Sequence, residues 1–172
     1  MAETTLVPLE PRSQIVVRAR AGAVARVATY LSIPALPDVN RFVATRAGDC
    51  YGLGPDEWLV VGPRSARAAV RDALEFAVGA DEGAAIDVSS SRVLVELRGP
   101  SARDVLASCC ALDLHPRVFE RGHCAQTLVA KAPVLLAQRD ESPAYWVFVR
   151  PSLASYVVSW LADGIEGLAP GA

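Results

Sequence analysis

The stretch Asp56-Glu57-Trp58-Leu59-Val60-Val61-Gly62-Pro63-Arg64-Ser65 returns, loosely, as Ala144-Tyr145-Trp146-Val147-Phe148-Val149-Arg150-Pro151-Ser152, at an offset of 88 residues. A tryptophan, an apolar run and a proline-serine turn form a common strand-to-helix junction in any chain. Here the order of elements around the junction repeats as well, and an internal duplication accounts for both. A domain commonly takes about 100–200 residues, so 172 residues built this way make one compact module of two similar halves.

In the first half, Ile15, Val17 and Ala19 alternate with Val16, Arg18 and Arg20, the period of a half-buried strand. Ala21, Val24, Val27, Ala28 and Leu31 follow at helical spacing, and Pro34 ends that helix. Strands over 41–46 and 50–53 flank the turn Ala47-Gly48-Asp49. Gly54-Pro55-Asp56-Glu57 then turns the chain into a strand over 58–61. A helix marked by Ala66, Ala69, Val70, Ala73, Leu74 and Ala77 closes the half.

The second half follows suit. Val93, Val95 and Leu97 mark a strand, and Gly99-Pro100-Ser101 opens a helix with the buried stripe Ala102, Val105, Leu106 and Cys109. Ser101 and Asp104 have the spacing of a capping box. Strand-like residues 125–138 are broken by Pro133, which predicts an edge or a bulge. Residues 139–143 form a turn, 145–149 a strand, and Leu153, Tyr156, Val157, Trp160 and Leu161 the last helix. Each half reads β-α-β-β-α, so the expected fold is α+β and internally duplicated, with antiparallel sheets and flanking helices. Residues 1–13, with Pro8 and Pro11, are expected as an extended N-terminal arm, 14–83 and 84–166 as the two repeats, and 167–172 as a tail.

Charge narrows the partners. Lys and Arg number 17 against 19 Asp and Glu, nearly balanced in each half, so there is no basic face for nucleic acid. The apolar runs at 132–137 and 155–162 fall far short of the ~18–20 residues that cross a bilayer, which argues against a membrane protein. Met1-Ala2-Glu3-Thr4-Thr5 lacks a positive region followed by an apolar stretch, and the four cysteines form no disulfide framework. A reducing, cytoplasmic setting is expected. Hydrophobic residues make up 52% of the chain and charged ones 21%, with Lys131 the sole lysine, so part of the surface is expected to bury itself against another protein.

Residues able to carry chemistry are few. Cys109, Cys110, His115, His123 and Cys124 are the densest set of soft ligands, but no C-x-x-C or H-x-x-x-H spacing brings them to one ion. Ser89, Ser90 and Ser91 follow Asp87, without G-x-S-x-G or a fixed base, and read as a loop or strand edge. Gly48, Gly52 and Gly54 sit in turns between strands rather than at a strand-to-helix junction, so no phosphate-cradling loop is expected. No catalytic, cofactor-binding or metal residue is assigned to this chain.

The segment from Asp87 to Leu106, with Asp87-Val88-Ser89, a strand, Gly99-Pro100-Ser101-Ala102 and a helix, resembles the folate-binding aminomethyltransferase superfamily of the glycine-cleavage system. With Leu53 to Val60, Ala111 to Pro116, Cys124 to Ala130 and Trp146 to Trp160, the chain is more closely similar to the gamma subunits of heterotetrameric sarcosine oxidases, over residues 14–164. That resemblance implies a noncatalytic subunit beside a large alpha, a flavin-bearing beta and a small zinc-binding delta chain. Such a complex oxidises sarcosine to glycine and hydrogen peroxide and passes a one-carbon unit to tetrahydrofolate. NAD, FAD, FMN, folate and zinc would then all be held by partner subunits. Asp38 precedes Val39-Asn40 but does not match the superfamily's folate-contacting acid. The alternatives are a stand-alone folate-dependent one-carbon transferase and a gamma-like subunit of a related N-methyl amine demethylase.

Overall fold

The alternating residues Ile15, Val17 and Ala19 do lie on one face of a strand, and the helical stripe after them does coil. The computed structural model that shows this describes residues 3–20, 22–79 and 83–168. Met1 and Ala2 of the expected arm, Ala21 of the expected stripe, residues 80–82, and 169–172 of the expected tail lie outside the described residues. In chain order the elements are β1 (Thr5–Pro8), β2 (Arg12–Ala19), α1 (Gly22–Leu31), β3 (Phe42–Thr45), β4 (Gly48–Gly54), β5 (Glu57–Pro63), α2 (Arg67–Val78) and β6 (Gly83–Asp87). They continue with β7 (Val93–Arg98), α3 (Ala102–Ala107), β8 (Cys124–Val129), β9 (Ala132–Asp140), β10 (Ala144–Val149) and α4 (Pro151–Gly167).

The chain divides into two units, one of residues 11–90 and one of residues 1–10 with 91–172. In the first, an antiparallel sheet ordered β3-β4-β5-β2-β6 carries α1 and α2 on one face. Ile15, Val17 and Val60 from the sheet meet Val27, Leu31 and Leu74 from the helices. Each such burial contributes about 1.5–3 kcal/mol. In the second, the sheet is ordered β8-β9-β10-β7-β1, and Leu97, Leu136, Tyr145 and Val147 pack under Val105, Leu106, Val157 and Leu161.

The two orders correspond strand for strand, with α2 and α4 in equivalent places, each following a central strand. Each half runs β-α-β-β-β-α, one strand more than the expected β-α-β-β-α, and residues 124–140 fold as a hairpin of two strands turning at Ala130, whose φ is +51°. Pro133 lies inside β9 opposite Leu128, on a strand flanked by β8 and β10 and with no bulge beside it. It is tolerated because the last residue of β9 paired with β10 is Val134, so its missing N–H has no neighbouring strand to meet.

The repeat is real, but its residue-by-residue alignment is off by one. Trp58 lies in the core under α1 and α2, whereas in β10 the core residues are Tyr145, Val147 and Val149, which turns Trp146 to the opposite face. A bulge fixes the true register. On β4 it falls between Gly52, opposite Trp58, and Gly54, opposite Glu57. On β9 it falls between Gln138, opposite Tyr145, and Asp140, opposite Ala144. Trp58 therefore corresponds to Tyr145, a step of 87, and the matching tryptophans mislead because a one-residue slip flips every side chain to the other face.

Two edge strands complete the sheets from outside the expected pattern. Gly83–Asp87, too rich in small residues to show alternation, pairs with β2 as β6. At the equivalent edge of the other sheet stands Thr5–Pro8, paired with β7 from the far end of the chain. The segment expected as an arm is thus a strand, held by Leu6 against the core and by the Leu9 N–H donating to the Leu94 carbonyl at 2.9 Å. The Ser101–Asp104 capping box does not form, since the Ser101 side chain caps nothing. Instead the Ser101 backbone N–H donates to Thr4 Oγ1 at 3.0 Å.

Candidate functional site

Asp87 ends β6 and gathers the residues on which the serine run depends. Its Oδ1 accepts the Ser89 hydroxyl at 2.6 Å and the Ser89 backbone N–H at 2.9 Å, and its Oδ2 accepts from the Arg67 guanidinium. Ser89 Oγ in turn accepts the Gln14 N–H at 3.0 Å, tying this turn to β2. The Ser89 hydroxyl, helped by its backbone N–H and by Arg67, pulls the Asp87 carboxyl down to about 2 against the opposing effect of burial. A carboxylate that acidic is a poor proton acceptor near neutrality, and Ser90 and Ser91 are exposed. The arrangement is a brace between β2, β6 and α2, not a nucleophile with its base.

The brace has a pH signature. Because the folded carboxyl titrates below the ~3.9 of an unfolded aspartate, its stabilisation is complete above about pH 4 and fades towards about pH 2. Asp87→Asn is therefore expected to unfold more easily than the parent at pH 6, with the gap narrowing as pH falls through 4 towards 3. Urea midpoints along that series check it; a gap independent of pH would refute the brace.

Cys109 and Cys110 lie in the turn beyond α3 rather than on it, their N–H groups both donating to the Leu106 carbonyl, at 3.0 and 2.8 Å. Cys110 Sγ is 3.7 Å from Thr127 Oγ1, and burial pushes the Cys109 thiol upwards. Cys124 is buried on β8 and Cys50 on β4. His115 Nδ1 accepts the Arg117 N–H at 3.2 Å, while His123 stands edge-on to Phe119 and 3.6 Å from Glu120. Among the described residues no three His, Cys, Asp or Glu side chains gather where they could hold a metal ion.

Asp38 stands at the rim of a cavity of about 400 Å³ walled by Val24, Ala28, Leu36, Pro55 and Trp58. The Trp58 indole N–H donates to the Pro37 carbonyl at 2.9 Å, and among the described residues no other titratable one lines this cavity. One exposed carboxylate without a second acid or base gives no general acid–base pair. Gly48, Gly52 and Gly54, expected in turns, lie instead within β4, and Gly52 serves packing: a Cβ there would sit 2.2 Å from the Asp38 carbonyl oxygen.

The surface carries apolar groups that periodicity alone does not reveal. Phe76 on α2 is 90% exposed beside an open groove of about 510 Å³ between α1 and α2, walled by Ala25, Tyr30 and Ala73. Arg26 anchors this groove by donating to the Ala77 and Val78 carbonyls, both at 2.8 Å. On α4 only Val157 and Leu161 of the expected stripe are fully buried, and Tyr156 and Trp160 stack edge-on, their ring centres 6.4 Å apart, in partial exposure. No helix among the described residues is long and apolar enough to cross a membrane.

Comparison with known proteins gives one consistent picture. The sarcosine oxidase, gamma subunit family model matches residues 16–166. A sarcosine oxidase subunit gamma of Corynebacterium sp. strain P-1 is 38% identical over 117 residues, which are 68% of this chain and 56% of that relative. The chain thus spans little more than half the length of that relative. Among solved structures, the heterotetrameric sarcosine oxidase from Corynebacterium sp. U-96 in complex with pyrrole 2-carboxylate contains a chain matching at a TM-score of 0.89 and 29% identity, over 98% of this chain and 87% of that one. The glycine cleavage system aminomethyltransferase T from Bartonella henselae shares the fold at a TM-score of 0.72 and 18% identity, over 93% of this chain and 45% of that one.

Proposed function

The chain belongs to the sarcosine oxidase gamma subunit family, and from that membership we propose that it is the noncatalytic gamma subunit of a heterotetrameric oxidase in the cytoplasm. The observation that carries this reading is the match of 98% of the chain, at a TM-score of 0.89, to one chain of a heterotetrameric sarcosine oxidase. The internal geometry supports it, because the acid-serine turn is a brace, the cysteines and histidines are dispersed, and Asp38 stands without a partner acid or base.

In this reading the chemistry belongs to alpha, beta and delta partners. They would hold FAD, FMN, NAD, tetrahydrofolate and zinc, and oxidise the N-methyl group of sarcosine. The partners' flavin would supply a two-electron oxidation with dioxygen as the acceptor, which would leave as hydrogen peroxide, and their tetrahydrofolate would take the one-carbon unit as glycine is released. This chain contributes surface: Phe76, Tyr156 and Trp160 are the large apolar groups an obligate subunit buries.

The test is co-expression with and without this chain. Omitting it is expected to leave the other three subunits poorly assembled on gel filtration and to lower sarcosine-dependent peroxide formation at least tenfold. A three-subunit enzyme fully assembled and fully active would remove the structural role.

A further inference from the structure

Arg92 and Arg150 flank the paired ends of β7 and β10, where Val93 lies opposite Val149. Extending that antiparallel register by one residue sets the two arginines opposite each other. Val149 belongs to the core beneath α3 and α4, and Arg150 is still extended, at φ −60° and ψ 139°. Strand alternation therefore turns Arg150 to the other face of the sheet. Arg92 and Arg150 line a cavity of about 380 Å³ with Gln126, Thr127, Leu128 and Leu135. Arg92, Arg150 and Gln126 are the polar side chains among the lining residues, Thr127 Oγ1 being turned towards Cys110 Sγ at 3.7 Å, and among the described residues no carboxylate lines the cavity.

Like charges placed directly opposite on adjacent strands are unfavourable. The Arg150 side chain makes no hydrogen bond or ion pair among the described residues, and it caps no helix N–H. A planar guanidinium fork is suited to gripping a carboxylate through two parallel hydrogen bonds. Leu128, Pro133 and Leu135 add an apolar wall to the same cavity. We propose that this cavity is a binding site for an organic carboxylate, held between Arg150 and Arg92, with a short apolar body against Leu128, Pro133 and Leu135. The carboxylate comes either from a free small acid or from an acidic side chain of a partner subunit, and the two sources are separable.

In the first arm, the full chain is titrated with sodium butyrate, sodium acetate and sodium chloride at equal ionic strength, following the melting midpoint and the heat of binding. Butyrate is expected to bind saturably and more tightly than acetate, with chloride inert. Arg150→Gln should weaken butyrate at least about tenfold, the usual cost of a lost charge-assisted contact. Arg121→Gln, an exposed arginine elsewhere, should leave binding unchanged. In the second arm, the co-expressed oxidase carrying Arg150→Gln is passed over gel filtration. If the free chain ignores butyrate yet Arg150→Gln alone loses its place in the complex, the carboxylate is a partner's side chain and the site stands. Butyrate bound equally by parent and Arg150→Gln overturns the proposal, as does absence of butyrate binding together with undisturbed assembly. The first arm is independent of the subunit reading, so failure of one does not entail failure of the other.

Discussion

A chain lacking residues 1–10 is expected to lose about 4 kcal/mol of stability and to aggregate, and to recover when residues 3–10 are grafted behind residue 172. The loss follows from what β1 supplies: four residues of ladder against β7, the packing of Leu6 on the core, and the Thr4 hydroxyl that accepts the Ser101 N–H. It is a large share of a marginal ~5–15 kcal/mol and exposes an unpaired edge on β7. The graft follows from the duplication. In the other unit, β6 pairs antiparallel with β2 and follows α2 after only residues 79–82. Residues 168–172 offer a connection of similar length from α4 to the equivalent slot. Melting midpoints of parent, truncated and grafted chains decide it, with a drop of roughly 10 °C expected on truncation. A truncated chain that melts like the parent would show that β1 is dispensable; a graft no better than the truncation would show that the two edges are not equivalent.

That same strand marks the limit of what the sequence discloses. Helices α1, α2 and α4 and strands β2, β5, β7 and β10 are legible because their apolar spacing is set by neighbours a few residues away. β1 is not, since Leu6 meets a core built some 90 residues later and nothing beside it carries that information. β6 hides in Gly83-Ala84-Ala85, where small residues blur the alternation. The register of the repeat is misread because the eye matches tryptophan to tryptophan, whereas the bulges on β4 and β9 match Trp58 to Tyr145. Around the candidate sites, Asp87 and Ser89 stand out as a motif, but their role as a brace needs the partners Gln14 and Arg67, brought in by sheet and helix. The Arg92–Arg150 juxtaposition is invisible in the chain and follows only from the pairing of β7 with β10. Phe76 sits on an otherwise ordinary amphipathic helix, and only the packed core shows that its side is left outside.

Gly52→Ala is expected to cost about 3 kcal/mol, through a forced backbone displacement and a broken indole hydrogen bond, although it adds a single methyl group. The β4 backbone and the 37–40 loop touch directly: the Gly52 N–H donates to the Arg41 carbonyl at 2.8 Å, and the Gly52 carbonyl accepts the Asn40 N–H at 3.0 Å. A Cβ at this position would lie 2.2 Å from the Asp38 carbonyl oxygen and 2.8 Å from that of Pro37. These are backbone atoms, so no side-chain rotation relieves the clash and the loop itself must move. Its movement carries away the Pro37 carbonyl that holds the Trp58 indole N–H, and with it one wall of the cavity beside Asp38. Gly54→Ala is the matched control, because its Cβ would meet only the Glu57 Cβ at 3.7 Å, an ordinary contact. The expected drop for Gly52→Ala is about 9 °C in melting midpoint, with a shift of the Trp58 indole N–H resonance, while Gly54→Ala stays within about 0.5 kcal/mol of the parent. If both variants melted alike and the Trp58 resonance stayed in place, the 37–40 loop would not be pinned by this glycine, and the shape of the cavity would have to rest on Trp58 alone.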